Sequence, residues 1–151
     1  MWNKYRHESK QTICIIGVLI LAAKLCKSDG HFSELEEEEI LKIIPHEPQQ
    51  KKILKRILEE AAKDPKPIEY DAMRIKKLIG PHHTDFLEFV IAVLYRLAHS
   101  DHVYSEEEDR DIRKVAEIFG IRKTFSKKIL IKINTIFQSS LAKLKRQKKD
   151  A

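Results

Sequence analysis

Two stretches of this chain decide its fold: CIIGVLILAAKLCKSDGHFSELEEEEILKII at residues 14–44 and FLEFVIAVLYRLAHSDHVYSEEEDRDIRKVA at residues 86–116. Written one above the other, with a shift of 72 residues and no gap, they agree at nine of 31 positions. The identities are Val18/Val90, Leu25/Leu97, Ser28/Ser100, Asp29/Asp101, Ser33/Ser105, Glu34/Glu106, Glu36/Glu108, Ile40/Ile112 and Lys42/Lys114. Lys24/Arg96, Phe32/Tyr104 and Glu39/Asp111 match in kind. Self-similarity at a fixed offset is the mark of a duplicated supersecondary unit.

Each half reads the same way. A helix predicted at about 13–27, and its equivalent at about 86–99, is apolar on nearly all sides. Such helices belong in the middle of a bundle, so the two are expected to pack on each other as a pseudo-twofold central pair. A short loop follows each. The next helix opens on a capping box, Ser33-x-x-Glu36 or Ser105-x-x-Glu108, in which serine and glutamate satisfy first-turn amides reciprocally. The further acids behind each serine suit the positive end of a helix dipole.

The punctuation between and after the repeats is helical too. Pro48 can occupy the first turn of a helix running to about Lys63. Asp64-Pro65-Lys66-Pro67 breaks that helix, and another is expected over 68–79 with Ile68, Ala72, Ile75 and Ile79 on one face. Gly80-Pro81 stops it, and Gly120 after Phe119 reads as a glycine C-cap. A last helix, about 123–145, places Ile129, Ile133, Ile136, Phe137, Leu141 and Leu144 on a stripe. The expectation is an all-α domain of about seven helices in duplicated helix-loop-helix halves.

Composition agrees. A chain of 151 residues suits one domain, and a 42% hydrophobic share with only four glycines favours a helical core. The net charge of +6 is unevenly spread: residues 122–151 hold ten Lys/Arg against Asp150, so the rest is mildly acidic. We divide the chain into a helical domain, residues 1–142, and a basic tail, residues 143–151. Cys14 and Cys26 fall in one predicted helix, about 18 Å apart at helical rise, too far for a disulfide. Reduced thiols point to a cytoplasmic protein.

Lys4, Arg6 and Lys10 before the uncharged run 11–23 look like the start of a signal peptide. The run is shorter than the roughly 20 apolar residues a membrane span needs. It continues into Lys24-Leu25-Cys26-Lys27 with no small-residue cleavage motif. Its repeat partner, moreover, lies deep within the chain.

The phrase Leu21-Ala22-Ala23-Lys24-Leu25-Cys26-Lys27-Ser28-Asp29-Gly30, followed by Phe32-Ser33 and Glu36, resembles the TerB-like (tellurite-resistance B) family. The second occurrence is Ser100-Asp101 followed by Ser105-Glu106-Glu107-Glu108, and the resemblance spans about 13–121. It implies a helical, non-enzymatic binding or sensing module of stress-response systems. Similar domains stand in front of J-domains in membrane-linked co-chaperones, and divalent-metal binding through the acidic motifs has been proposed for such domains. Two departures matter. His102 replaces the glycine of the second turn, and the chain has no His-Pro-Asp signature of a J-domain, His82-His83-Thr84-Asp85 not being one.

Asp29 with Glu36, and Asp101 with Glu108, are the candidate metal ligands. Carboxylate oxygens suit Ca²⁺ or Mg²⁺, and His31, His99 and His102 nearby bring Zn²⁺ into consideration. Turn and cap formation accounts for the same residues, since Asp29 before Gly30 makes an Asx-turn and both glutamates complete capping boxes. Both readings stand at this stage, and no cofactor is required. No nucleophile elbow, P-loop or glycine-rich cradle is present, so no enzyme is expected. Lys143, Lys145, Arg146, Lys148 and Lys149 form a candidate anion-binding tail. They support an alternative role at an anionic membrane surface, with peripheral placement on the inner face, or less well on nucleic acid. An unidentified protein partner is the expectation for the domain itself.

Overall fold

The structure, a computed structural model, describes residues 2–26, 34–44, 46–98 and 106–121, leaving aside the side chains at 34–36 and 43. Among them run six α-helices and no strand: α1 (Lys10–Cys26), α2 (Glu34–Ile43), α3 (Lys51–Lys63), α4 (Ile68–Ile79), α5 (Thr84–Ala98) and α6 (Glu106–Phe119). Short 3-10 turns at Trp2–Lys4 and Pro48–Gln50 precede α1 and α3. The seventh expected helix, about 123–145, lies outside the described residues.

Local chemistry sets the ends. The Ser9 hydroxyl accepts from the Thr12 amide at 3.2 Å, capping the first turn of α1. Pro48 stands at the head of the turn into α3, where its missing N–H is harmless. Gly80 ends α4 at φ +83°, and the Lys10 ammonium donates to the exposed-end carbonyl of Ile79 at 2.6 Å. Gly120 ends α6 at φ +74°, with the Ile121 amide reaching back to the Ala116 carbonyl at 2.9 Å in a Schellman arrangement.

α1 is the post around which the others stand. It is buried without a break from Thr12 to Leu25 and touches each of the other five helices. Gly17 allows α4 its closest approach: a Cβ there would sit 2.9 Å from Ile75 Cδ1. α5 packs against α1 and α6, yet leaves Arg96 exposed and Glu88 and Tyr95 half-buried. The two central helices are therefore unequal. No helix among the described residues is long and apolar enough to cross a membrane.

Cys14 marks the α1–α5 seam, its Sγ lying 3.9 Å from the carbonyl of Phe86, its own repeat equivalent. Burial pushes the Cys14 thiol far above its ordinary range, so almost no thiolate forms near neutral pH. Iodoacetamide should therefore modify the half-buried Cys26 of the native protein and spare Cys14 until denaturant is added. Peptide mass mapping reads this directly. Native labelling of Cys14 at its unfolded rate would mean that the seam opens freely.

Candidate functional site

At the C-terminal end of α1, Lys24 stands in an otherwise apolar wall with its side chain only 6% exposed. A charge so placed must be paired. Its ammonium donates to Asp64 Oδ2 at 2.8 Å and to the Lys66 carbonyl at 2.6 Å, and it ion-pairs with Asp71 Oδ2. All three ammonium hydrogens thus have an acceptor within reach. The second oxygen of Asp71, whose side chain is 0% exposed, accepts from the indole N–H of Trp2 at 2.8 Å. The cluster ties the chain's start, the end of α1, the α3–α4 turn and α4 into one knot.

The two carboxyls respond oppositely. Burial pushes Asp71 above its ordinary value, against the pull of Lys24 and Trp2. At Asp64 burial acts in the same sense but is outweighed by the Lys24 ammonium and the Lys66 amide, which hold it below its ordinary value.

Outside the knot lies a recess of about 400 Å³. The α3–α4 turn forms one wall, with Asp64, Lys66 and Glu69, and α6 forms the other, with Glu107, Arg110, Asp111 and Lys114. Lys114 reaches Glu69 at 3.3 Å between the two walls. Burial pushes the Asp111 carboxyl above its ordinary value, while Lys114 draws it down and Glu69 drives it up. Cations and carboxylates thus both line the recess. Among the described residues the lining holds no cysteine, serine or histidine, and the Lys24 ammonium is held by Asp64, the Lys66 carbonyl and Asp71.

The residues picked from sequence fall as follows. Glu108 lies in α6, half-buried, and its neighbours Glu107 and Asp111 line the recess while it does not. Glu36 is on α2, with its side chain outside the description. Asp29, Asp101, the three histidines near them, Lys143, Lys145, Arg146, Lys148 and Lys149 lie outside the described residues. Among the described residues, no three His, Cys, Asp or Glu side chains are grouped to hold a metal ion. Sequence reading missed the knot, although two signals pointed to it. Lys24 is the charge that interrupts the run 11–23, and Asp71 sits among Ile68, Ala72 and Ile75 on the apolar stripe of α4.

The described residues thus form an all-helical domain with a charged recess. The sequence model of the tellurite resistance protein TerB family matches residues 16–130, and the chain belongs to that family. No match was found among curated proteins or among solved structures.

Proposed function

We propose that this chain is a non-catalytic binding module that engages a charged segment of a protein partner at the recess between the α3–α4 turn and α6. The observation that carries it is that Lys66, Glu69, Glu107, Arg110, Asp111 and Lys114 line one opening. Family membership supports a role in stress response, as the family's name states for tellurite. The resemblance to domains found with J-domains adds a co-chaperone association as the form that role takes. Weak Ca²⁺, Mg²⁺ or Zn²⁺ binding at Asp29, Glu36, Asp101 and Glu108 belongs to the same proposal.

Affinity capture from the source cell, with quantitative mass spectrometry, tests the recess. The partner held by wild type should be lost with Arg110→Glu/Lys114→Glu and kept when residues 143–151 are deleted. The reverse pattern would instead favour the basic tail and an anionic surface. Calorimetric titration of Ca²⁺, Mg²⁺ and Zn²⁺ into wild type, Asp29→Asn and Asp101→Asn tests the metal. Binding should weaken more in Asp29→Asn, because Gly30 can turn through positive φ where His102 resists it. No heat with wild type would leave these acids as caps and turns.

A further inference from the structure

The large apolar side chains that stand exposed among the described residues, Tyr70 (38%) and Met73 (61%), are both on α4. They lie three residues apart, and Lys77 follows four later on the same helix face. Met73 opens onto a groove separate from the charged recess, with Leu87, Ile118 and Phe119 on its apolar side. Gly80 and Pro81 close one end, and the volume is about 710 Å³. That lies within the roughly 300–1,000 Å³ of ligand-accepting clefts.

The charge around the groove is one-sided. Lys76 and Lys77 both line it and both are exposed; among the described residues neither has an ion-pair partner and no acid lines the groove. An apolar floor rimmed by unpaired ammonium groups complements a helix with apolar side chains on one face and carboxylates beside them. A methionine at the entrance adds adaptability, since its unbranched thioether side chain repacks around varied anchors. Residues 122–151 carry an apolar stripe of their own, but their ten Lys/Arg against one acid would meet Lys76 and Lys77 with like charge. An anionic bilayer would match the lysines but has no use for a concave apolar cleft.

We infer that this groove is a second binding site, one that takes an acidic amphipathic helix from a protein partner. Its test uses a fluorescein-labelled helical peptide of fifteen residues with leucines on one face and glutamates on the other. A matched peptide with lysines in place of the glutamates serves as control. The acidic peptide should bind by fluorescence anisotropy and weaken as salt is raised, and the lysine peptide should not bind. Met73→Glu and Lys76→Glu/Lys77→Glu should each reduce its affinity tenfold or more, whereas Met73→Leu should keep it. These side chains are exposed, and unchanged thermal melts would show the variants folded. Equal binding to wild type and Met73→Glu would overturn the inference. So would failure of the peptide to bind while phosphatidylserine vesicles sediment the protein through Lys76 and Lys77. Concentration-dependent dimerisation abolished by Met73→Glu, without peptide binding, would assign the groove to a second copy and overturn it too.

Discussion

Lys24→Met is expected to destabilise the fold by about 3–5 kcal/mol, the usual consequence of removing one member of a buried ion pair. Methionine preserves most of the packed stem and deletes the ammonium. Asp71 then keeps only the Trp2 indole as a donor, in a place with no access to water. The carboxyl escapes by taking up a proton. Burial already pushes Asp71 above its ordinary value, and loss of the cation pushes it further. A group whose folded value is raised stabilises the fold below its unfolded value and loses that contribution as pH climbs through the folded value. The deficit of Lys24→Met should therefore be small in acid and grow towards neutral and alkaline pH. Urea unfolding at several pH values, followed through Trp2 as the chain's single tryptophan, measures this. Adding Asp71→Leu to Lys24→Met should recover much of the loss, because an apolar pair of similar size often replaces a buried ion pair without penalty. A deficit below 1 kcal/mol, or one independent of pH, would show that the knot does not anchor the turn.

Much of the fold was legible because its signals are local or periodic. Gly80 and Gly120 could be placed at helix ends because few other residues adopt φ near +80°. The apolar stripe Ile68, Ala72, Ile75 and Ile79 gave α4 its buried face. Long-range pairing leaves no such trace. Lys24 and Arg96 are equivalent in sequence, yet the first is buried and the second exposed, because only the first faces Asp64 and Asp71. Nothing about Gly17 foretold Ile75 as the neighbour that requires it. At the N-terminus, Lys4 and Arg6 drew attention as charges before an apolar run. The structure instead buries Trp2 on Asp71 and pairs Lys4 with Glu60. The recess was invisible for the same reason, since its walls come from a turn and a helix that are distant in sequence.

Leu25→Ala and Leu97→Ala should destabilise by unequal amounts within the roughly 2–5 kcal/mol typical of buried leucine truncation. The two leucines are repeat equivalents and both are buried, at 0% and 3% exposure. Their surroundings differ. α1 touches every other helix among the described residues, so relaxation of α1 into a cavity at Leu25 would disturb more partners. α5 leans mainly on α1 and α6 and carries the half-buried Tyr95 two residues from Leu97. That side can settle inward, and the cost depends on how well a site collapses. Leu25→Ala should thus fall in the upper part of the range and Leu97→Ala in the lower. Neither side chain lines the recess or the groove, so ligand binding by the folded fraction should be unaffected in both. Denaturant midpoints at constant slope give the two values. A larger loss at Leu97 than at Leu25 would show that α5, not α1, is the post on which the helices depend.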